Sequence, residues 1–540
     1  MIRNMTNRTY DYLVVGAGSA GCVMANRLSE DEQERVLLLE AGKPDDDRKI
    51  SIPALYAELF KTERDWEYYT EPQPELNNRR IYWPRGKTLG GSSSLNAMVY
   101  VRGHPADYDQ WASLGNDGWG WDDLLPYFKL LEDTHEIEAE HRGTGGPLHI
   151  TNLRSPNEMS RAFVDAGVSV GYSRNGDFNG SDQDGIGLLE VTQKDGKRYS
   201  AADAYLQPAL ERPNLDVETN AQVTRVRFDG TRAVGVTYNQ DGCSTQVETT
   251  AEIILCSGAV NSPQLLMLSG VGPADHLREH DLPIVADRPG VGRNLHDHPL
   301  FAVNYEATKP VSLGTAEKPW NLVRYLTKYL LWKSGPLTTS GPEAAAIIRS
   351  DRDLPAPDLL IAFAPAYNDV TAPDPPDGHG FSIAIGLLCP KSRGRITLQS
   401  ADPFADPIID PNYLSHKDDL ARLVNGLRRA REIVQAPPFD PYRGEELAPW
   451  SANPTDDAMS EYIRDNVGTF YHPVGTCKMG DDEMAVVDDR LRVHGVERLR
   501  VVDASVMPII IRGGPNATTI MIAEKAADYV KSARDRGAVN

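Results

Sequence analysis

The sequence has few cysteines and no long apolar run. Its five cysteines, Cys22, Cys243, Cys256, Cys389 and Cys477, lie far apart, and none shows a CxxC or zinc-site spacing. No stretch reaches the ~18 apolar residues that a membrane-spanning helix needs. The first 18 residues pass from polar residues into a strand-like run, without the apolar region of a signal peptide. We therefore expect buried thiols, a cytoplasmic location and no membrane span.

Basic residues are also scarce. The chain has 56 Lys and Arg against 77 Asp and Glu, which gives a net charge of −21. Such a surface disfavours nucleic acids and anionic membranes as partners. Apolar residues make up 40% of the 540 residues and charged residues 25%, which are ordinary values for a globular protein. The length allows one large domain or two to three smaller ones.

The first 42 residues form a recognisable unit. Residues 12–15 are a short apolar run, residues 19–29 have helical spacing, and residues 35–40 are a second apolar run. A strand, a Gly-rich turn, a helix and a strand in this order predict a βαβ unit in a parallel sheet.

The turn of this unit carries the pattern GxGxxG. Gly16 permits the tight turn, Gly18 lets the backbone approach a pyrophosphate, and Gly21 allows close helix–strand packing. Glu40 ends the second strand, where a carboxylate binds ribose hydroxyls. A Gly-rich packing turn is the structural alternative. A serine-nucleophile elbow is a poor alternative, since only 15 residues precede Gly16 and a hydrolase sheet needs earlier strands.

Further along, the pattern changes twice. Residues 43–90 predict loops and short helices, and residues 214–256 predict antiparallel strands that end in a buried one. Residues 300–460 form a Pro-rich second region. The remaining predicted elements are helices at 263–269, 319–332, 417–435 and 516–534, and strands at 344–349, 381–389, 395–399 and 499–503. The fold class is therefore α/β (α+β overall), with a Rossmann-like domain and a second domain on an antiparallel sheet with helices.

Additional Gly-rich and polar turns favour FAD over NAD as the dinucleotide. They occupy residues 86–96, 257–263 and 503–516, and a flavin needs contacts beyond the first βαβ unit. Together with the first turn, these blocks resemble the glucose–methanol–choline (GMC) oxidoreductases over almost the whole chain. The resemblance is closer to bacterial-type choline and aliphatic alcohol dehydrogenases than to fungal glucose oxidases. The blocks that carry it are residues 16–21, 40–42, 86–96, 258–270, 471–480, 502–505 and 516–518.

The resemblance implies a discontinuous FAD domain of residues 1–155, 195–300 and 460–540, and a substrate domain of residues 156–194 and 301–459. It implies oxidation of a primary alcohol to the aldehyde by hydride transfer to flavin N5. His472 corresponds to the family's base and Asn516 to its second active-site residue. A neutral imidazole suits the removal of an alcohol proton near pH 7, and an amide donor suits a developing alkoxide. The structural alternatives are a core histidine and a helix N-cap.

The same resemblance supplies the cofactor-binding residues. Leu95 stands where some members carry a histidine that attaches covalently to the flavin, so we expect non-covalent FAD. The residues expected to contact FAD are Gly16, Gly18, Ser19, Gly21, Glu40, Ala41, Thr88, Gly91, Asn96, Ala97, Met98, Val99, Val223, Ser257, Tyr471, Asp503, Ala504, Asn516, Ala517 and Thr518.

Other residues support weaker interpretations. Residues 296–298 read His-Asp-His, but no third ligand is evident, so we predict no metal. Glu343 is either the partner of a cationic substrate or a solvated loop carboxylate. Trp320, Tyr325, Tyr329 and Trp332 fall at helical spacings, which is more often a core stripe than a cation cage.

The expected partner is a small alcohol. A neutral primary alcohol is the first interpretation, and choline, oxidised to betaine aldehyde, is the second. An alcohol oxidase that uses O₂ and a non-redox lyase on the same fold stay open, as does the electron acceptor, which could be a quinone, another carrier or O₂.

Overall fold

Two seven-stranded sheets organise the chain. The structure, a computed structural model, describes residues 9–134, 140–313, 319–367, 378–450 and 453–535. The strands of these sheets are β1 Tyr10–Val15, β2 Val36–Leu39, β3 Gly185–Leu188, β4 Leu215–Glu218, β5 Ala221–Asp229, β6 Arg232–Gln240, β7 Cys243–Leu255, β8 Pro299–Ala307, β9 Ala344–Ile348, β10 Leu359–Ala364, β11 Gly380–Leu387, β12 Arg443–Glu446, β13 Gly468–Thr469 and β14 Leu499–Val501.

Helices cover both sheets. The α-helices in the described ranges are α1 Ser19–Leu28, α2 Arg48–Ser51, α3 Pro105–Ser113, α4 Trp121–Leu131, α5 Glu158–Ser169, α6 Gln207–Ala209, α7 Gly258–Leu268, α8 Ala274–Glu279, α9 Pro319–Trp332, α10 Lys417–Val434, α11 Asp456–Asn466 and α12 Pro515–Asp535. Short two-stranded ladders pair Tyr68–Tyr69 with Tyr82–Trp83, Glu132–Asp133 with Leu148–His149, Thr151–Asn152 with Glu190–Val191, Gln193–Lys194 with Lys197–Arg198, Val271–Gly272 with Ala286–Asp287, and Arg395–Thr397 with Ile408–Asp410.

The first sheet has the order β4-β2-β1-β7-β6-β5, and β14 also pairs with β7. β1 runs parallel to β2 and to the second half of β7, and α1 connects β1 to β2. The strands β1 and β2 are almost fully buried, as a parallel strand covered on both faces must be. The predicted mixed α/β class and the βαβ unit are confirmed.

One strand direction in this sheet was predicted wrongly. β4 was expected to be antiparallel, but it runs parallel to β2. The tight turns at Gly230 and Gly242 close the β5–β6 and β6–β7 hairpins, and both glycines have positive φ. No such hairpin joins β4 to β5, and β4 instead forms the edge of the sheet next to β2. Alternation of apolar residues alone does not distinguish a parallel strand from an antiparallel one.

The helix predicted from Pro263 begins five residues earlier, at Gly258. Proline inside a helix leaves the carbonyl four residues before it without its N–H partner. That carbonyl belongs to Ala259, and the Thr476 hydroxyl donates to it at 2.6 Å. A tertiary contact therefore makes an interior proline acceptable here, which local sequence could not reveal.

The second sheet is antiparallel, with the order β12-β8-β11-β10-β9-β3, and β13 pairs with β8. Helices α5 and α10 pack against it. Each sheet contributes to a large buried apolar cluster of its own. Residues 185–188 (β3) pair with β9, more than 150 positions later in the chain. The domain boundaries given above stay a prediction.

Two expectations about burial were wrong. Helix α9 has the predicted bounds, but of its proposed core stripe only Tyr329 is buried, whereas Trp320 is 86% and Trp332 63% exposed. Cys243 and Cys389 are only partly buried, although all five cysteines are free thiols. Within the described ranges, no helix has both the length and the apolar character needed to cross a bilayer.

Candidate active site

A cavity of about 410 Å³ is lined by residues from both sheets. The structure brings most of the predicted site residues to its wall. They are Gly16, Gly18, Ser19, Glu40, Ala41, Gly91, Asn96, Ala97, Met98, Val99, Val223, Ser257, Tyr471, His472, Asp503, Ala504 and Asn516. Residues from the start, the middle and the end of the chain therefore meet at one place.

Two glycine turns form one end of this cavity. Gly91 packs on the first turn so closely that a Cβ there would lie 2.7 Å from the Gly18 Cα. Helix α1 begins just after Gly18, which has no side chain to cap the first backbone N–H groups, and no acidic residue occupies its first turn. Uncapped N–H groups at a helix N-terminus bind phosphate. This cradle fits the pyrophosphate of a dinucleotide.

Glu40 lies beside the cradle with its carboxylate held in place. Its two oxygens accept the backbone N–H groups of Ala17 at 2.7 Å and Gly42 at 2.8 Å. Burial raises the pKa of Glu40 to about 7, and the two N–H donors oppose that rise. A fixed carboxylate at the end of β2 fits the ribose hydroxyls of the same dinucleotide.

Asp503 follows β14 and closes the other side of the cradle. Its carboxylate accepts the N–H of Gly258 at 2.9 Å and that of Ser505 at 2.8 Å, together with the Ser262 hydroxyl. Burial raises its pKa. The loop after the strand and the N-terminus of α7 are thus fixed to each other at the cavity wall.

Four predicted contact residues do not line the cavity. Gly21 supports the turn from behind, since a Cβ there would come 1.8 Å from the Gly16 carbonyl oxygen. Thr88 donates to the Lys43 carbonyl at 2.8 Å, and Thr518 bonds the Tyr108 hydroxyl at 2.8 Å. Ala517 is buried in the core. These residues hold the wall in place instead of forming it.

The backbone of His472 is fixed from two sides. Its N–H donates to the buried Asp297 carboxylate at 2.7 Å, and that carboxylate also accepts the hydroxyls of Thr469 and Tyr413. Tyr471 adopts the left-handed conformation with φ 65°, which is uncommon for a residue other than glycine. The strained turn is maintained by these hydrogen bonds, as expected at a functional site.

The imidazole of His472 is oriented by His298. The two Nδ1 atoms are 2.9 Å apart, and His298 Nε2 lies 3.1 Å from the Leu388 carbonyl oxygen. A carbonyl accepts only, so Nε2 of His298 carries the proton and its Nδ1 is the acceptor. His472 must then donate from Nδ1, which leaves its Nε2 unprotonated at the cavity wall.

Both histidines are held neutral. Burial, His298 and the Arg85 guanidinium lower the pKa of His472 well below its usual 6.5, and burial lowers the pKa of His298 to about 4. Burial also raises the pKa of Asp297 to about 6. The site therefore holds a neutral imidazole with a free lone pair, which is the form able to accept a proton.

If the chain oxidises alcohols with a flavin, as the sequence resemblance implies, the lowered pKa of His472 predicts an unusual pH profile for flavin reduction. The neutral form of His472 persists at all pH values above its lowered pKa, so the rate should not fall between about pH 8 and about pH 6.5, where a free histidine protonates. The decline should begin only below that range. Anaerobic rapid-mixing absorbance at a series of pH values measures it.

The variant His298→Ala supplies the comparison for this profile. Without the acceptor at Nδ1, His472 is no longer confined to one tautomer and its imidazolium loses a hydrogen-bond partner, so the plateau rate should fall. A wild-type profile that already declines near pH 6.5 contradicts the neutral, oriented imidazole.

Asn516 lies in the first turn of α12, which begins at Pro515, so it is not the N-cap residue. The hydroxyl of Ser19 donates to its Oδ1 at 2.6 Å. Since Oδ1 is engaged, the Nδ2 hydrogens stay available to an oxygen in the cavity. The contact also joins the first glycine turn to the last helix, across 497 positions.

Sequence reasoning missed several residues of this site. Asp297 and His298 were considered only as metal ligands, and within the described residues no group of three or more metal-binding side chains occurs. Their neighbour His296 bonds Asn294 at 3.0 Å. Arg85 also lines the cavity, and its guanidinium donates to the Tyr471 carbonyl at 2.7 Å. The sequence signal for Arg85 was its position directly before the Gly-rich block of residues 86–96.

The wall opposite the glycine turns is apolar. Leu360, Ala362 and Ala364 of β10 alternate along this wall, and Phe363 also reaches it. Ala362 stands opposite Ala384 of β11, and Ala364 opposite Ser382. Such alternation is the normal pattern for one face of a sheet. The apolar or small side chains along this wall are Val101, Leu189, Leu300, Ile347, Leu360, Ala362, Ala364, Ser382, Ala384, Leu388 and Phe470.

Glu343 is neither a solvated loop carboxylate nor a residue of the cavity wall. It is 1% exposed, and its carboxylate accepts the Ser160 hydroxyl at 2.6 Å and the Asn157 N–H at 2.7 Å. Burial raises its pKa. Among the described residues, the acidic side chains that line the cavity are Glu40 and Asp503, both at the glycine-turn end.

The comparison with family models decides the family. The GMC oxidoreductase models match residues 10–300 and residues 390–523. The chain is a GMC oxidoreductase. The family is FAD-dependent and acts on CH–OH groups, so this GMC oxidoreductase is an enzyme. The glycine turns and Glu40 of its cavity are residues suited to hold FAD.

Relatives of this GMC oxidoreductase cover nearly its whole length. An alcohol dehydrogenase [acceptor] of Pseudomonas putida is 46% identical over 527 residues, 96% of this chain and 95% of the relative. An oxygen-dependent choline dehydrogenase of Brucella ovis is 43% identical over 523 residues, with the same two coverages. The crystal structure of pyridoxine 4-oxidase from Mesorbium loti superposes with a TM-score of 0.88 at 35% identity, over 96% of this chain and 99% of that one.

Proposed function

We propose that this enzyme oxidises an uncharged, apolar primary alcohol to the aldehyde, with FAD bound non-covalently. The observation that carries the proposal is an unprotonated His472 Nε2 at a cavity whose far wall is apolar. The division into the FAD and substrate domains given above is part of the same proposal, supported by the two sheets and their separate apolar clusters.

The proposed chemistry assigns a task to each polar residue. His472 Nε2 accepts the hydroxyl proton of the alcohol, and the resulting imidazolium is steadied by its Nδ1–H bond to His298. The Asn516 amide donates to the alcohol oxygen as negative charge develops there. FAD, when bound, supplies the hydride acceptor. Arg85 adds a fixed positive charge beside the site, which favours an anion over a cation.

The wall chemistry favours an uncharged substrate over choline. A quaternary ammonium is bound best by an aromatic cage, with a carboxylate nearby. Aromatic side chains, among them Tyr56, Phe60, Trp66 and Phe470, do line the cavity, so the preference rests on the carboxylates. Glu343 is occupied by Ser160 and Asn157, and the cavity acids Glu40 and Asp503 are engaged by backbone N–H groups at the dinucleotide end. From Leu360 to Ala364 the small-residue wall runs about 14 Å, enough for an extended alkyl chain.

We therefore expect kcat/KM to be higher for a linear primary alcohol than for choline. The alkyl chain lies against the β10 and β11 wall, whereas a cation meets Arg85 and no free carboxylate. Ala384→Leu fills this wall and should lower kcat/KM more for a long alcohol than for ethanol. Steady-state assays with an artificial acceptor across a chain-length series measure both effects.

Glu343→Gln is the control for this preference. Because Glu343 is outside the cavity wall, the change should leave the ratio of the two kcat/KM values nearly unaltered, apart from any loss of stability. A choline preference above about tenfold, of which Glu343→Gln removes about 1.4 kcal/mol or more, reverses the proposed order of substrates.

Non-covalent FAD is tested by denaturation. Leu95 lines the cavity and has no nucleophilic atom, so acid or guanidinium should release all the flavin into the supernatant. Absorbance of the supernatant and of the precipitated protein gives the two fractions. Yellow protein after repeated washing indicates an attachment residue other than Leu95.

The decisive test of the reaction class is anaerobic bleaching of the flavin. Aliphatic, aromatic and furanic alcohols and choline are added in turn to the holoenzyme, and bleaching by an uncharged alcohol is the expected result. A flavin that stays yellow with every alcohol favours the lyase alternative. Oxygen uptake compared with reduction of an artificial quinone then separates an oxidase from a dehydrogenase.

A further inference from the structure

Helix α9 is a surface helix with an apolar outer side. It touches the body of the protein along a narrow seam, in which Tyr329 is buried, and most other side chains are exposed. Trp320, Val323, Leu330 and Leu331 have exposed fractions of 86%, 58%, 61% and 66%. Apolar side chains of this size seldom lie exposed together on a protein in water.

The exposed residues are arranged by polarity around the helix. At 3.6 residues per turn, Leu322, Val323, Leu326 and Leu330 fall within roughly 100° of arc, and Trp320 and Leu331 extend that face. Arg324 and Lys328, four positions apart, lie together beside it. A helix with an apolar face flanked by basic residues and Trp is the pattern of a helix that lies in the interface of a bilayer.

The local charge is opposite to that of the whole chain. From position 319 to position 342 the sequence contains Arg324, Lys328 and Lys333 and no Asp or Glu, whereas the full chain carries −21. The exposed hairpin residues Lys194, Asp195 and Lys197 add a net charge of +1, and Gly196 of that hairpin packs on the Lys333 backbone. Since charges beyond about 8 Å are screened at physiological salt, this cluster dominates what an adjacent surface experiences.

The size of the patch argues against a second copy of the chain as its occupant. Fourteen residues give a helix about 21 Å long and about 10 Å wide, or roughly 200 Å² of face. A stable dimer buries about 800 Å² per partner. A two-fold pairing of α9 with itself would also bring the basic side chains Arg324 and Lys328 of the two copies together.

We propose that α9 docks this enzyme on the surface of a bilayer that contains anionic lipids. The apolar side chains enter the level of the head groups, and Arg324 and Lys328 meet the lipid phosphates. Lys333 Nζ lies 4.5 Å from the ring centre of Tyr329 and adds positive charge beside the seam. The segment after the helix connects it to the cavity wall, because Gln193 donates to the Thr338 carbonyl at 3.1 Å and the Ser340 hydroxyl to the Ala97 carbonyl at 2.5 Å. Docking would hold this wall near the phase in which apolar alcohols concentrate.

Vesicle flotation of the FAD-loaded protein tests the proposal without any assay of activity. Vesicles of phosphatidylcholine alone are compared with vesicles that also contain about a third phosphatidylglycerol. The wild type should float with the anionic vesicles. Val323→Gln/Leu330→Gln/Leu331→Gln should reduce the bound fraction about tenfold or more, since each buried methylene contributes to binding. Arg324→Gln/Lys328→Gln should lower it to the level of the neutral vesicles.

Phe404→Gln/Met484→Gln is the matched control, because both residues are exposed and apolar but lie away from α9. It should float like the wild type, and flavin absorbance confirms that every variant is folded. Wild type that stays with the unbound fraction at both compositions overturns the proposal, as do α9 variants that float normally. A dimer in sedimentation that the triple Gln variant dissociates overturns it in favour of a second copy.

Discussion

His472→Ala should slow flavin reduction by about 10²–10⁴-fold while fold and FAD content are retained. The substitution removes the unprotonated Nε2 at the cavity wall, and the hydrogen bond from His298 Nε2 to the Leu388 carbonyl does not aim the Nδ1 of that ring at the substrate position. Its backbone contact with Asp297 does not need the side chain, so the strained turn at Tyr471 should persist. Anaerobic rapid mixing with the preferred alcohol gives the rate.

His416→Ala is the histidine control for this experiment. His416 is exposed at the start of α10 and does not line the cavity, so its loss should leave the reduction rate near that of the wild type. Near-normal reduction in His472→Ala shows that the proton leaves by another route. Asn516 does not provide one, since an amide is not a base at neutral pH.

Gly91→Val should greatly weaken FAD binding. Gly91 has φ 52°, and a Cβ would lie 2.7 Å from the Gly18 Cα, so the two glycine turns must separate to admit a side chain. That movement opens the phosphate cradle at the start of α1. Purified protein should contain less than about a tenth of the wild-type flavin, and added FAD should bind at least tenfold more weakly, a loss of about 1.4 kcal/mol or more.

Gly230→Val separates this contact from backbone strain. Gly230 also has positive φ, at 61°, and a Cβ there meets nothing within 4 Å. Both variants share the cost of a left-handed β-branched residue, about 1–2 kcal/mol, and only Gly91→Val disturbs the cradle. Equal flavin content in the two variants would remove Gly91 from the binding site.

The sequence alone predicted the structure correctly wherever a local pattern is compatible with only one backbone geometry. The GxGxxG turn and Glu40 predicted a βαβ unit with a dinucleotide cradle, and strand, turn and helix occupy those positions. Helix α9 has its predicted bounds as well. Periodicity and turn chemistry determine such features within about 30 residues.

The rest depends on contacts that a single pattern does not contain. Nothing near Pro263 indicates that Thr476 satisfies the carbonyl of Ala259, and nothing near Glu343 indicates that Ser160 occupies its carboxylate. The His-Asp-His segment was weighed only as a metal site and set aside for want of a third ligand. Asp297 instead accepts the backbone N–H of His472, and His298 orients the His472 imidazole 174 positions away. Exposure of α9 is likewise a property of what surrounds it, not of its own amphipathic sequence.

The bond between Ser19 and Asn516 has a consequence for how the protein is made. Arg27 of α1 pairs with Glu524 of α12 across the same 497 positions, and β14 completes the first sheet from residues 499–501. A ribosome adds about 5–20 residues per second, so α1 waits roughly 25–100 s for its partner helix to be synthesised. The first glycine turn therefore leaves the ribosome long before its pocket exists, and acquisition of FAD is an event that follows translation.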